Sequence, residues 1–218
     1  MKKIVIIYSI ITLLCSFQLL SHSEISLNPP QDAGMINPLL PGSKVENVLL
    51  KTESGEVLDL GELLSEKKTI VVFFRGGWCP YCNLHLNELE QVAPMLKKLG
   101  YKLIAISPDT PVNTKLNQKK ESLSFLLLSD SDMLASSAFG LTFKVSEKIR
   151  SKYKKYGIDL VKASGRKHFL LPVPGVFIMG TDGKVKFSYA NPDYRHRLNS
   201  RTLLSAARMV DTQEKNGK

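Results

Sequence analysis

The chain has 218 residues, of which 43% are hydrophobic, and a formal net charge of +10. A chain of this length and composition can bury one ordinary hydrophobic core, so we expect one folded domain. Despite its positive charge it contains no nucleic-acid-binding motif, which argues against a function in DNA or RNA binding.

The N-terminal residues 1–23 have the features of a secretory signal peptide. A start with two lysines precedes the apolar run 4–14, and Ser21 and Ser23 are the small residues that a signal peptidase reads. We therefore expect cleavage after Ser23 and export, with the periplasm as the destination. An uncleaved membrane anchor over residues 4–20 is the alternative.

Export would change the cysteine content of the mature protein. It would leave Cys79 and Cys82 as the only cysteines, because Cys15 lies in the leader. An exported protein that is stabilised by disulfides usually has several cysteine pairs at longer spacings. A single close pair therefore favours a redox catalyst.

The elements that follow alternate between strands and helices. Residues 24–44 are rich in Ser, Asn, Pro and Gly, which predicts an extended lead-in to a domain over residues 45–212. A hairpin turning at Glu53-Ser54-Gly55 and a short helix capped by Asp59 come first. Turn residues and hydrophobic spacing then predict strand 69–74, helix 80–99, strand 101–107, helix 111–120, strand 124–128, helix 132–139, strands 176–179 and 184–189, and helix 201–210. This order predicts an α/β fold with a central mixed sheet flanked by helices.

The motif Trp78-Cys79-Pro80-Tyr81-Cys82 stands between a buried strand and a helix. A cysteine at a helix N-terminus faces unpaired backbone N–H groups and the positive end of the helix dipole, which favour the thiolate. Cys79 is therefore the predicted nucleophile. Cys82 lies one helical turn further on, where its sulfur can close a disulfide with Cys79.

The two cysteines could also serve uses other than a redox dithiol. A structural zinc site usually needs four ligands, and a disulfide across two residues closes too short a loop to stabilise the chain much. A copper site formed by both cysteines and either His168 or His85 is the more serious alternative. Otherwise His85 is expected to be exposed.

Residues 141–167 form a strongly basic segment, with nine Lys or Arg residues against Glu147 and Asp159. Apolar residues recur there at helical spacing: Val145, Ile149, Tyr153 and Tyr156. This spacing predicts an amphipathic helix with its apolar stripe packed and its basic face in solvent. The alternative is that the basic face docks on an acidic partner or an anionic membrane surface.

Several motifs accompany the dithiol and together resemble a known family. They are Phe74-Arg75-Gly76-Gly77-Trp78-Cys79-Pro80-Tyr81-Cys82-Asn83, Ser107-Pro108-Asp109, Ala138-Phe139-Gly140, Tyr156-Gly157-Ile158, Leu171-Pro172-Val173-Pro174 and Asn191-Pro192-Asp193-Tyr194. Over roughly residues 40–210 the chain resembles the peroxiredoxin-like branch of the alkyl hydroperoxide reductase/thiol-specific antioxidant family.

The resemblance implies a thioredoxin-like fold with Cys79 as the attacking cysteine. It also implies that Pro174 is a cis-proline that approaches the dithiol, and that Arg197 is an arginine that recurs in this branch near the active site. From its place four residues before Cys79, Arg75 is expected to favour the thiolate electrostatically. Trp78 is expected to shield the dithiol.

Two reactions remain open at this point. In the first, Cys79 reduces a hydroperoxide and an external thiol later reduces the Cys79–Cys82 disulfide. In the second, the dithiol exchanges with protein disulfides, since typical peroxiredoxins have Pro and Thr or Ser where this chain has Val72 and Gly76, and since Trp78-Cys79 followed by Cys82 resembles thioredoxins. Neither reaction needs a bound metal or cofactor. A copper chaperone is a distant third reading.

Overall fold

The computed structural model describes residues 28–216. The predicted signal peptide and the alternative anchor lie outside this range. Among the helices within it, none is both long and apolar enough to cross a membrane.

The described residues contain nine strands, seven α-helices and one short 3-10 helix at Ala33–Met35. The strands are β1 Leu49–Lys51, β2 Val57–Asp59, β3 Thr69–Phe73, β4 Lys102–Ser107, β5 Leu126–Ser129, β6 Thr142–Lys144, β7 Leu170–Pro172, β8 Gly175–Met179 and β9 Val185–Ala190. The helices are α1 Leu60–Glu66, α2 Pro80–Lys98, α3 Pro111–Lys120, α4 Leu134–Ala138, α5 Glu147–Lys155, α6 Leu160–Ser164 and α7 Ser200–Asn216.

Seven strands form the main sheet, in the order β2-β1-β5-β4-β3-β8-β9. Strand β4 runs parallel to both β3 and β5, whereas the other neighbours pair antiparallel. The predicted mixed sheet flanked by helices is therefore confirmed. The β1–β2 hairpin is also present, and the carboxylate of Asp59 caps α1 by accepting a hydrogen bond from the Glu62 N–H.

The central strand β3 is buried on both faces. Ile70 and Val72 belong to a hydrophobic cluster that includes residues of α2 and α7, and Val71 and Phe73 belong to a second cluster on the opposite face. Burial on both sides explains why this segment is a continuous apolar run instead of an alternating one.

The chain leaves the end of β3 in a short loop that delivers Cys79 to the start of α2. Cys79 is the N-cap residue with an extended backbone, and Pro80 occupies the first helical position, where a missing N–H costs nothing. Pro94 lies inside the helix. The loop that carries Cys79 is therefore held at its start by the buried strand β3 and at its end by α2.

The basic segment differs from its prediction in part. It comprises β6, α5 and α6, and β6 pairs with β7 in a separate two-stranded sheet. Helix α5 begins at Glu147, after its N-cap Ser146, and Ile149 and Tyr156 remain 41% and 70% exposed. The expectation of a fully packed apolar stripe was therefore wrong: the helix is too short to carry it, and Tyr153 is the stripe residue on α5 that packs inward.

Candidate active site

Both cysteines of the described chain are free thiols in a closed site. Cys79 and Cys82 are each only 1% exposed, and they belong to the hydrophobic cluster between the sheet and α2. Because Cys82 is within the first turn of α2, its side chain lies next to the N-cap Cys79.

The surroundings of Cys79 favour its thiolate. The hydrogen bond from the Cys82 thiol, followed by the charge of Arg75, lowers the pKa of Cys79 to about 6 against the opposing effect of burial. Arg75 Nη1 lies 3.8 Å from the Cys79 sulfur. At neutral pH the Cys79 sulfur is therefore mostly ionised and nucleophilic.

Cys82 has the opposite character. Burial, followed by the neighbouring Cys79, raises the pKa of the Cys82 thiol well above its usual value. Arg197 Nη2 lies 3.4 Å from the Cys82 sulfur and partly offsets this. One cysteine is thus held as a thiolate and the other as a thiol, which is the division of labour expected of an attacking and a resolving cysteine.

Two nitrogen atoms of the Arg197 guanidinium have no hydrogen-bond acceptor among the described residues. Its Nε and Nη1 atoms are buried and have no hydrogen-bond partner within residues 28–216. Buried N–H groups normally find an acceptor, so unpaired ones beside a reactive sulfur are candidate ligands for an oxygen that carries negative charge.

An aromatic cage holds the other guanidinium. The Arg75 carbon Cζ lies 3.9 Å from the ring centroid of Tyr194, 5.0 Å from that of Trp78 and 5.4 Å from that of Tyr153. Arg75 also donates a hydrogen bond from Nη2 to the Tyr153 hydroxyl. These contacts fix the cation beside Cys79, and Trp78 packs against the hydrophobic cluster that contains both cysteines.

The loop before Cys79 has no room for a side chain at position 76. Gly76 has φ +136°, and a Cβ built there would lie 2.4 Å from Trp78 Nε1 and 2.8 Å from Asp109 Oδ1. Asp109 accepts hydrogen bonds from the Gly77 N–H and the Ser107 hydroxyl, and burial raises the pKa of its carboxyl group to about 6. The absence of a hydroxyl at this position is therefore part of how the loop packs.

The expectation of a cis bond at Pro174 was wrong, because every peptide bond within residues 28–216 is trans. Pro174 lies in the two-residue connection between β7 and β8. The Val173 N–H donates to the Leu141 carbonyl, and the Pro174 carbonyl accepts from the Asn191 N–H. The trans form is the lower-energy form of an X–Pro bond.

The two histidines of the copper hypothesis are engaged elsewhere. His85 is 5% exposed rather than exposed as predicted, since it lies on the buried face of α2 with Nε2 3.1 Å from the Leu198 carbonyl. Burial, followed by the charge of Arg197, lowers the pKa of His85 to about 4. Both ring nitrogens of His168 have backbone hydrogen-bond partners. Within the described range, no group of three or more His, Cys, Asp or Glu side chains could hold a metal ion.

Comparison with known proteins assigns the family. Residues 41–188 match the AhpC/TSA family. The chain belongs to this family. Peroxiredoxin Bcp of Escherichia coli strain K12 is 30% identical over 106 residues, which cover 49% of this chain and 67% of that protein. This AhpC/TSA member is therefore an antioxidant oxidoreductase of the peroxiredoxin type.

Two further similarities concern the fold and the dithiol. The crystal structure of reduced Prx3 from Vibrio vulnificus in complex with hydrogen peroxide has a TM-score of 0.64 at 19% identity, covering 78% of this chain and 99% of that one. This likeness confirms the thioredoxin-like fold. Thiol-disulfide oxidoreductase ResA of Halalkalibacterium halodurans is 27% identical over 101 residues, which cover 46% of this chain and 56% of that protein.

The structure thus brings Arg75, Trp78 and Arg197 to the two cysteines. Sequence reasoning did not single out Tyr153 or Asp109 as site residues. Asp109 stood in the quoted motif Ser107-Pro108-Asp109, which was an available signal. Tyr153 stood only in the predicted apolar stripe, and nothing in the sequence connects it with Arg75, 78 positions earlier.

Proposed function

We propose that this AhpC/TSA protein reduces hydroperoxides with Cys79 as the attacking cysteine and Cys82 as the resolving cysteine. The observation that carries the proposal is the pairing of an ionised Cys79 with a guanidinium 3.8 Å away and a protonated Cys82 one turn along the helix. The similarity to Peroxiredoxin Bcp supports hydroperoxides as the substrate class.

The first step is oxidation of Cys79. The thiolate attacks the terminal oxygen of the hydroperoxide, the S–O bond forms, and the O–O bond breaks with its electron pair on the departing oxygen. Cys79 becomes a sulfenic acid, and the departing oxygen takes up a proton to leave as an alcohol or as water. The unpaired donors of Arg197, with Arg75, supply positive charge where negative charge develops.

The second step closes the disulfide. The Cys82 thiol gives up its proton, its sulfur attacks the Cys79 sulfenic acid, and the hydroxyl group leaves as water. The repulsion between Cys82 and an ionised Cys79 ends once Cys79 is a neutral sulfenic acid, so Arg197 can then favour the Cys82 thiolate. An external thiol donor reduces the disulfide and becomes oxidised itself.

Disulfide exchange with proteins is the second candidate function. It is favoured by the Cys-X-X-Cys arrangement at a helix N-terminus, by the glycine at position 76, and by the similarity to ResA over 46% of the chain. In that reaction Cys79 would attack a protein disulfide and Cys82 would release the mixed disulfide.

Rapid mixing separates the two functions. Trp78 is the only tryptophan and adjoins Cys79, so its fluorescence should report dithiol oxidation directly. We expect hydrogen peroxide to oxidise the reduced protein far faster than it oxidises a small thiol at equal thiolate concentration. Equal rates, together with rapid reduction of a protein disulfide, would establish the second function instead.

We further propose that the protein works after export, because of the signal-like features of residues 1–23. N-terminal sequencing of the protein from fractionated cells tests this: a periplasmic form that starts after residue 23 is expected. A membrane-bound form with the intact N-terminus would favour the anchor over residues 4–20.

The basic segment 141–167 adjoins the site through Tyr153, and we propose that it attracts an acidic thiol donor rather than a membrane surface. Attraction between opposite charges should make reduction of the oxidised protein by an acidic thioredoxin-type donor fall with rising salt concentration. A rate independent of salt would identify the segment as an ordinary solvated face, and binding to anionic vesicles would support the membrane alternative.

A further inference from the structure

Helix α5 of the basic segment brings a phenol to the dithiol. The Tyr153 hydroxyl accepts a hydrogen bond from Arg75 Nη2, and Nη1 of the same guanidinium lies 3.8 Å from the Cys79 sulfur. A single planar cation thus connects the thiolate with a hydroxyl group that comes from a distant part of the chain.

The position of this phenol is well fixed. The Tyr153 and Trp78 rings have centroids 5.7 Å apart, and Tyr153 packs on a small cluster that contains Val145, Leu160 and Leu171. Helix α5 ends two residues later, where the Ile158 N–H donates to the Tyr153 carbonyl. A side chain held by its ring, its backbone and Arg75 is preorganised for a role at the site.

The phenol retains its own proton. Within the described residues the Tyr153 hydroxyl accepts from Arg75 and donates to no protein group. Burial raises the pKa of Tyr153, so the group remains an O–H donor at neutral pH. Its proton is therefore free to bond to a molecule that enters beside Cys79.

The loop before Cys79 cannot supply such a donor. Gly76 has no side chain, and a Cβ there would overlap Trp78 Nε1 and Asp109 Oδ1. Tyr194 also contacts Arg75, but through the face of its ring. Tyr153 is thus the hydroxyl group that the structure joins directly to the cation beside the nucleophile.

We propose that Tyr153 is a catalytic residue for hydroperoxide reduction, in which its hydroxyl protonates the oxygen that departs from Cys79. This inference rests on the proposed peroxidase function. As the S–O bond forms and the O–O bond breaks, the departing oxygen takes the Tyr153 proton and leaves as an alcohol or water. The tyrosinate is paired with Arg75 until it takes a proton back from water.

The direction of proton transfer is favourable. The ordinary pKa of a phenol is roughly 10, and burial raises that of Tyr153. Water has a pKa of about 15.7, so hydroxide and alkoxide are still the stronger bases. A positioned general acid commonly accelerates such a step by about 10²- to 10⁴-fold. A leaving group that is a weak base, such as acetate, departs without being protonated and therefore needs no general acid.

This difference gives the test. Tyr153→Phe keeps the ring that packs on Trp78 and removes only the hydroxyl, and Tyr156→Phe is the matched control because Tyr156 is exposed and lies three residues away. Oxidation of each reduced protein by hydrogen peroxide, an alkyl hydroperoxide and peracetic acid is followed by Trp78 fluorescence. Alkylation of Cys79 by iodoacetamide measures its ionisation in the same variants.

We expect Tyr153→Phe to slow hydrogen peroxide and the alkyl hydroperoxide by about tenfold or more, with rates for peracetic acid and iodoacetamide within about twofold of the wild type. Tyr156→Phe should match the wild type throughout. An equal loss with all four reagents would show that Tyr153 only positions Arg75, and no loss with any would exclude a role. A wild-type protein no faster than a small thiol would overturn the peroxidase function itself.

Discussion

Arg197 is the cation at the sulfur of Cys82, with Nη2 3.4 Å from that atom. Arg75 instead lies beside Cys79. Each cysteine therefore has its own nearest guanidinium. Both arginines supply positive charge in the peroxide step, but we expect only Arg197 to stabilise the Cys82 thiolate when the disulfide closes.

We expect Arg197→Gln to slow disulfide closure by at least about tenfold, since about 1.4 kcal/mol of lost thiolate stabilisation has that effect. Arg75→Gln should instead raise the pKa of Cys79 and slow its alkylation near pH 6.5. Trapping of the sulfenic acid with dimedone, together with alkylation rates against pH, distinguishes the two. If the two variants gave identical dimedone trapping and identical alkylation rates against pH, Arg197 would have no role at Cys82 that Arg75 does not share.

The roles of the cysteines themselves give a second prediction. Cys79→Ser should abolish reaction with hydroperoxides, because the remaining Cys82 thiol is buried and un-ionised at neutral pH. Cys82→Ser should still react once with peroxide and accumulate a sulfenic acid at Cys79, which mass spectrometry detects. Retained activity in Cys79→Ser, with oxidation at Cys82, would reverse the assignment.

The buried carboxyl group of Asp109 gives a pH-dependent prediction. The charge of Cys79 contributes to the raised pKa of Asp109, and because such coupling is reciprocal, Asp109→Asn should lower the pKa of Cys79. The amide oxygen of the new residue can still accept from the Gly77 N–H, which keeps the loop in place. Iodoacetamide alkylation rates against pH measure the shift, and an unchanged midpoint would contradict the coupling.

The same carboxyl group affects stability. A folded-state pKa raised from 3.8 to about 6 means that the protonated form is favoured on folding, so its contribution is complete below pH 3.8 and is lost as the pH rises through 6. Two pKa units correspond to roughly 3 kcal/mol as an upper estimate. Urea unfolding of reduced wild-type protein and Asp109→Asn at pH 5 and pH 8 should therefore show the variant gaining relative stability at pH 8.

Much of this architecture could be predicted from the sequence. Strand β3 and helix α2 carry strong local signals, namely a β-branched apolar run and a helix-period stretch begun by Pro80, and together they place Cys79 correctly. The resemblance to the family correctly indicated the fold, and the spacing from Cys79 was enough to suggest Arg75.

The errors arose where packing across the fold decides the outcome. His85 is buried because it lies on the same face of α2 as Cys82 and Leu86. A single polar residue in the sequence does not indicate that its position is buried. The peptide bond at Pro174 is trans, and the hydrogen bonds of Val173 to Leu141 and of Pro174 to Asn191 fix this connection to other parts of the fold. Tyr153 reaches Arg75 through the three-dimensional position of α5, which periodicity does not specify.

Gly76 provides the last prediction, because it tests whether a hydroxyl can simply be restored to the loop. Gly76→Ser should destabilise the protein by about 1–3 kcal/mol, since φ +136° strains any L side chain and the new Cβ would meet Trp78 and Asp109. Gly55→Ser is the control, because Gly55 has φ +89° but no atom within 4 Å of an added Cβ, so it reports strain without the clash. The free energy of unfolding in urea should fall further for Gly76→Ser, and its peroxide oxidation rate should fall rather than rise. A stable Gly76→Ser protein with faster peroxide reduction would show that the loop adapts and that the glycine limits peroxidase activity.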